Sequence, residues 1–547
     1  MGKVIGSVVL ARALRQNGCD AFFFLTGGPI VGTSCATAEL GARAIDVRHE
    51  QAAAMAAHGY ARVTRKVGVC MTASGPGATN LVTGVANAFV DGAPIVAIGG
   101  ASPVAAFQKG AFQELDQLPI FKPFTKWAER AYDAIRFPDL VSIAFRQART
   151  GRPGPVYLDA PGDVLYEEVD EETLVFPEPG LHRTTARPLG DPDAVKAAVR
   201  LLAQAQRPIV VTGGGTLWAN ADAQLRQFVE LTGIPFYATP QGRGVIPDDH
   251  ALSFMAARAT AFQEADLILA VGTRFNYMLL YGRTPRFAPD ARVIQIDIAA
   301  EEIGHNRAVN VGIVGDAAAV LGQLVAEAEG KLSPPLYADW VEHLQAVDKG
   351  KWQEAELQMS TDQLPIHPAR LCKEIRDFLD RDAILTVDGQ AILNIGRQSI
   401  PTYVAGHRLN SGPWGCLGVG LPFAMGAKVA KPDKQVLALT GDGSFGLNGM
   451  ELDTMVRHKL PIVTVVSNNA GWNTGGAAAV GKELGYTNYD GMAEKLGLYA
   501  ERVDKPEQIR PALERAFKAG VPALLNVIVD RTPARTMKFS DYSGPVA

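Results

Sequence analysis

Short runs of continuous apolar residues, each closed by glycine, proline or a polar turn, alternate along this chain with longer stretches of helical periodicity. A run that is apolar at every position marks a strand buried on both faces, as in parallel sheets, and strands alternating with helices build such sheets. The runs fall into three groups: 22–25, 67–72, 95–98 and 156–158; then 208–212, 236–238, 267–271 and 293–296; then 436–439 and 461–466. The acidic stretch 167–172 with Pro177-Glu178-Pro179-Gly180 predicts one linker, and Leu332-Ser333-Pro334-Pro335 a second. The expected fold class is α/β, with three consecutive doubly wound parallel-sheet domains over residues 1–176, 190–330 and 365–547, the last ending in a short tail. Residues 1–17 predict an amphipathic helix, 51–57 a small-residue helix, and 81–89 and 448–458 crossover helices. The first and third units share a coarse pattern but no sequence repeat.

Composition narrows the function classes. With 547 residues, 47% apolar and 20% charged, the chain reads as an ordinary globular protein of about three domains. A net charge of −4 leaves no basic footprint, so nucleic acid is not an expected partner. No window approaches an uninterrupted transmembrane span, the N-terminus lacks a signal-peptide core, and Gly6 spoils a myristoylation match, so no membrane association is expected. Cys19, Cys35, Cys70, Cys372 and Cys416 have no paired spacing, which predicts reduced thiols in a cytoplasmic protein.

Candidate chemistry concentrates at two places. Gly441-Asp442-Gly443 closes one apolar run and Asn468-Asn469 the next, with Asn469 27 residues after Asp442. That distance admits one crossover helix, so parallel strands carry both side chains to one carboxyl edge, where α/β sheets bind ligands. A carboxylate and an amide oxygen suit a hard cation, and Gly443 and Ser444 let the backbone approach phosphates. Far upstream, Asp46-Val47-Arg48-His49-Glu50 sets a carboxyl group between an apolar strand and an alanine-rich helix.

Together these segments resemble the thiamine diphosphate (ThDP) enzymes of the decarboxylase-type superfamily over essentially the whole chain. The resemblance implies ThDP and Mg²⁺ as cofactors, with Asp442, Asn469 and the Gly471 carbonyl on the metal and Gly441, Gly443 and Ser444 at the diphosphate. It implies that Glu50 bonds the aminopyrimidine ring, that Leu417 wedges under the bent cofactor, and that the Gly415 carbonyl accepts from its 4′-amino group. Pro29, Asn80, Gln390 and Trp472 are implied around the same cofactor. In that family the first and third domains at each site come from two subunits, which implies a homodimer or homotetramer.

Thr26-Gly27-Gly28-Pro29-Ile30 lacks the histidine of pyruvate-type decarboxylases and benzaldehyde-lyase-type enzymes, and no histidine pair follows Asn80. The segments Gly110–Gln117, Thr239–Asp248, Gly272–Tyr277 and His407–Gly412 are instead similar to the 2-hydroxyacyl-CoA lyases and oxalyl-CoA decarboxylases. This branch implies a CoA thioester substrate cleaved to formyl-CoA and an aldehyde or ketone. Gln113 and Glu114 are then expected to position the substrate hydroxyl and handle its proton, and Arg397 and Arg408 to hold CoA phosphates. Arg152, Gly213, Gly214, Arg274, Asp297 and Asp316 are the candidate ADP site, where related families bind FAD or nothing. Trp472 departs from the tyrosine usual in this branch. The tail, with Lys538, Asp541 and Tyr542, corresponds to a segment that in the family can fold over substrate. An acetolactate-synthase-like carboligase, oxalyl-CoA decarboxylase proper and a non-catalytic nucleotide-binding scaffold are the alternatives.

Overall fold

A computed structural model of the chain describes residues 2–472 and 480–531; the tail with Lys538, Asp541 and Tyr542 lies outside them. Three parallel sheets follow one another. The first orders its six strands Arg43–Asp46, Ala21–Phe24, Gly68–Thr72, Ile95–Ala101, Val156–Pro161 and Ala128–Arg130. The middle sheet runs Phe236–Ala238, Pro208–Thr212, Leu267–Val271, Arg292–Asp297 and Val311–Val314. The third runs Arg408–Leu409, Ile384–Asp388, Val436–Gly441, Val463–Asn468, Ala523–Ile528 and Tyr499–Val503. The first and third sheets therefore have the same strand order relative to chain direction.

The helices between the second and third strands of these two units, Glu50–Thr64 and Gly420–Ala430, are equivalent by topology, and they pack on each other. Small residues make that contact possible. A Cβ on Gly426 would lie 2.1 Å from the Ala56 carbonyl oxygen, and one on Gly59 would lie 2.7 Å from that of Phe423. Backbone meets backbone here, and one continuous apolar core joins the first and third units across the contact.

Three expectations change. The acidic stretch is not a free linker: Glu168–Asp170 pairs antiparallel with Lys3–Ile5, so the helix begins only at Gly6. The crossover helix expected over 448–458 is two pieces, Asp442–Asn448 and Glu451–Arg457. Gly446 and Gly449 weaken helix there, and Asn448 turns its amide to the Gly418 carbonyl at 2.7 Å. Beyond the second linker a 22-residue helix, Ala338–Met359, puts Trp340 and Leu344 in the middle unit's core and Ala355 and Met359 in the third unit's. Among the described residues no helix is long and apolar enough to cross a membrane. All five cysteines are unpaired.

Candidate active site

The strand Val436–Gly441 runs straight into the helix beginning at Asp442, beside the parallel strand Val463–Asn468 with Gly441 opposite Ser467. Asp442 is buried, which pushes its carboxyl up to about 6, and its oxygens accept from the Gly443 N–H at 3.0 Å and the Gly471 N–H at 2.8 Å. The two asparagines divide the work. Asn468 is structural: its amide donates to the Thr487 carbonyl and to Asn526 Oδ1, and its own oxygen accepts from the Ala470 N–H. Asn469 faces the cavity, with one terminal amide atom 2.9 Å from Asp442 Oδ1 and 2.9 Å from the Gly471 carbonyl oxygen.

That pair of contacts tests the fit to a cation. With its nitrogen turned inward, Asn469 donates to both neighbours. With its oxygen inward, three oxygens converge with no hydrogen between them. Ligands about 2.05 Å from Mg²⁺ at right angles stand roughly 2.9 Å apart, so the observed separations suit an octahedral edge. The donor set is a carboxylate, an amide and a backbone carbonyl; no cluster of His, Cys, Asp or Glu among the described residues offers another metal site.

These groups sit in a cavity of about 920 Å³ whose wall also includes Gln390, Gly415, Leu417, Gly441, Gly443, Ser444 and Trp472. Trp472 lies flat against Gly443, where a Cβ would be 2.7 Å from its ring. Asp388, at the end of a neighbouring strand, is a residue the sequence reading missed. It accepts from the N–H groups of Gly389 and Gly420 and so positions the turns bearing Gln390 and Leu417; burial pushes it up to about 6. The middle unit supplies the far wall with Tyr277, Met278, Leu280, Tyr281 and Arg286. None of the described lining residues belongs to the first unit.

Glu50 lies elsewhere in the chain, buried at the start of its helix and accepting at Oε2 from the Asn80 amide at 2.9 Å. Gly77 leaves room beside it, since a Cβ there would approach Glu50 Oε1 to 3.4 Å. Pro29 packs on the bare backbone of Gly100 and Gly162. The 110–117 loop folds onto this surface: Ser74 donates to Gln113 Oε1 at 3.0 Å, and the Gly75 N–H to Gln117 Oε1 at 2.7 Å. Gln117, also missed from the sequence, is buried and donates to Gly100, Tyr157 and Asp159, which locks the loop in place. Glu114 departs from its expected role. Its carboxylate turns back on its own loop to accept from the N–H groups of Ala111 and Gln108, which hold it below the usual carboxylate range and make it a poor proton donor.

A second, smaller cavity of about 110 Å³ lies between the first and middle units, lined by Arg152, Gly214, Arg274, Asp297, Glu302 and Arg397 among others. Arg152 and Arg274 cap carbonyls at the end of the helix Pro76–Asp91 and stand 3.7 and 3.9 Å from Glu302. Burial raises Asp297. Two expected members are absent from this wall. Gly213 is pressed against Gly272 and Thr273, and Asp316 caps the helix Ala317–Ala328 and pairs with Arg187. Arg408 is also corrected: it is fully buried, donating to the carbonyls of Gly396 and Ile400, and cannot meet a phosphate in solvent. The two cavities share Met278, Arg397, Gly412 and Pro413.

The chain matches the family models described as thiamine pyrophosphate enzyme N-terminal TPP binding domain over residues 5–120, central domain over 195–324 and C-terminal TPP binding domain over 391–527. It is 35% identical to an acetolactate synthase large subunit of Mycobacterium tuberculosis, covering 96% of each chain. It is 34% identical to a 2-hydroxyacyl-CoA lyase of Arabidopsis thaliana, over 96% of this chain and 95% of the relative. An oxalyl-CoA decarboxylase of Escherichia coli is 33% identical, over 96% and 95%. Domain by domain and along nearly its full length, the chain therefore belongs to the thiamine pyrophosphate (thiamine diphosphate) enzymes.

Proposed function

We propose that this enzyme is a 2-hydroxyacyl-CoA lyase that cleaves its substrate to formyl-CoA and an aldehyde or ketone, reversibly. The observation that carries the reading is the shared wall of the two cavities: a reaction cavity opening beside Arg152, Arg274 and Arg397 suits a substrate with a distant anionic end. Asp442, Asn469 and the Gly471 carbonyl would hold Mg²⁺, Gly443 and Ser444 would take the diphosphate, and Leu417 would pack against the cofactor. When bound, ThDP supplies a carbon nucleophile and an electron sink for cleavage between C1 and C2. Glu50 holds the proton at the aminopyrimidine nitrogen. Gln113 orients the substrate hydroxyl, whose proton is lost as that carbon becomes the carbonyl product, while a proton is returned to the carbon that leaves as formyl-CoA.

Glu50 and Asn80 lie on the first unit and contribute nothing to the cavity of their own chain. The reading therefore requires Glu50 from a partner subunit, in a homodimer or homotetramer. The basic cavity takes ADP or the nucleotide end of CoA through Arg152, Gly214, Arg274 and Asp297. Five free thiols suit a cytoplasmic setting.

Carboligation of 2-oxoacids is the second reading, favoured by the 35% identity to an acetolactate synthase, against 34% to a 2-hydroxyacyl-CoA lyase, and by the apolar side chains along the reaction cavity. Enzyme with ThDP and Mg²⁺ is incubated with 2-hydroxyacyl-CoAs, oxalyl-CoA or pyruvate, and products are followed by mass spectrometry. Formyl-CoA plus a carbonyl product from the hydroxyacyl esters supports the lyase. Formyl-CoA and carbon dioxide from oxalyl-CoA alone moves the assignment to the decarboxylase, and turnover of pyruvate alone to the carboligase.

A further inference from the structure

Three consecutive residues at the rim of the reaction cavity are left-handed: Leu280 at φ 47°, Tyr281 at φ 54° and Gly282 at φ 71°. Side chains rarely adopt this conformation, and two non-glycine residues in succession persist only where the surroundings enforce it. Here they do. The Asn276 carbonyl accepts from both Leu279 and Tyr281, and its side chain accepts from the Met278 N–H at 3.0 Å. From below, Arg307 donates to the carbonyls of Gly282, Ala288 and Ala291, and Asn306 to that of Phe275 at 2.9 Å. Gly282 is sealed against Phe275 and Arg307, where a Cβ would approach to 2.8 and 2.9 Å.

The turn so enforced presents its side chains to the cavity rather than to the core. Tyr277, Leu280 and Tyr281 all line it, and the two tyrosines are 49% and 44% exposed. Across the space stand Trp414 and Trp472, themselves 44% and 39% exposed. Trp472 directly follows Gly471 and its ring lies over Gly443, so this aromatic end borders the diphosphate end of the cavity. Large aromatic and aliphatic side chains facing into a concave, backbone-strained cavity mark a place for an apolar ligand group.

We propose that the turn Tyr277–Gly282 is a specificity wall that, with Trp414 and Trp472, selects substrates carrying a bulky apolar group, aromatic or branched aliphatic, on the reacting carbon. The inference rests on the ThDP reading of this cavity but applies to either a thioester or a 2-oxoacid substrate. Each buried methylene is worth roughly fourfold in binding, so a phenyl and a methyl substituent should differ by well over tenfold.

The test uses the full-length enzyme with ThDP and Mg²⁺ and paired substrates: mandeloyl-CoA against lactoyl-CoA, and benzoylformate against pyruvate. Wild type is expected to favour the phenyl member of whichever pair it turns over by at least tenfold in kcat/KM. Leu280→Gly and Tyr281→Gly, which release the left-handed strain, should keep or raise the melting temperature and retain the ThDP-induced thermal shift. They should also cut the phenyl-to-methyl ratio at least tenfold, which a purely structural turn would not do. A preference for the methyl substrate, an unchanged ratio in both variants, or no turnover of either phenyl substrate by ThDP-loaded enzyme overturns the wall. Failure to bind ThDP at all overturns the cofactor reading itself, and the wall with it.

Discussion

The side-chain amide of Asn80 donates to Glu50 Oε2 at 2.9 Å, and this bond sets the direction in which the buried carboxyl group of Glu50 faces. Glu50→Gln keeps the shape and the Asn80 contact but removes the ionisable group. Activity should fall by about 10²–10⁴-fold, the usual worth of a positioned acid–base group, while ThDP still binds. Asn80→Ala frees Glu50 to rotate and should cost about tenfold in activity. Steady-state rates beside ThDP titrations separate these outcomes; normal turnover in Glu50→Gln removes Glu50 from the chemistry.

Metal and cofactor binding should stand or fall together at Asp442 and Asn469. Saturating ThDP with Mg²⁺ at about 100 times Kd should add roughly 2.7 kcal/mol of stability, and chelation should abolish it. Asp442→Asn keeps an acceptor for only one of the Gly443 and Gly471 N–H groups, so it should melt somewhat lower without ligands, and it should show no Mg²⁺-dependent gain. Differential scanning fluorimetry with and without EDTA reads both. A retained Mg²⁺-dependent shift would falsify the ligand assignment.

Much of this arrangement was legible in the chain. The apolar runs 208–212, 236–238 and 267–271 coincide with strands, because a strand buried on both faces of a parallel sheet cannot tolerate polar interruptions. Asp442 and Asn469 were legible as neighbours because the ends of adjacent parallel strands fall at one fixed edge of the sheet. What escaped depends on three-dimensional company. Arg408 and Arg397 look alike in sequence, but only Arg397 lines the reaction cavity, while Arg408 is buried against carbonyl groups. Glu114 is decided by the N–H groups its own loop turns toward it, and Gln117 by bonds to residues up to 42 positions away. The left-handed Leu280 and Tyr281 contradict local preference, and no propensity signals them.

The close crossing of Glu50–Thr64 with Gly420–Ala430 makes its own demand. Gly426→Ala places a methyl group against the Ala56 carbonyl, too near for any rotamer to relieve. Overpacking of this kind costs about 1–3 kcal/mol. The variant should melt several degrees lower and lose activity in proportion to the unfolded fraction. An unchanged melting temperature would mean that the helices can separate freely.

Glu451 offers a pH test remote from the metal ligands. It is buried beneath Arg48, accepting from the Arg48 N–H at 3.1 Å and from Thr454 at 2.7 Å, yet desolvation prevails and pushes it up to about 7. A carboxyl raised above its ordinary 4.5 binds its proton more tightly in the folded state. Stability is therefore lost as pH rises from about 4.5 toward 7, by at most ~1.4 kcal/mol per pH unit. Denaturant unfolding of wild type and Glu451→Gln at pH 5 to 8 should show wild type weakening relative to the variant as pH rises. A difference independent of pH means the carboxyl is already ionised throughout.

Arg397 and Arg408 should part company in kinetics. Arg397 borders both the reaction cavity and the basic cavity, so Arg397→Ala should raise KM for a CoA thioester about tenfold and leave the melting temperature nearly unchanged. Arg408 holds the carbonyls of Gly396 and Ile400 at the two ends of one turn, and removing it strands buried acceptors worth about 1–3 kcal/mol each. Arg408→Ala should therefore lower stability by several kcal/mol without a selective effect on KM. If Arg397→Ala left thioester KM untouched while Arg408→Ala raised it, phosphate recognition would have to reach the protein by a path other than the wall shared by the two cavities.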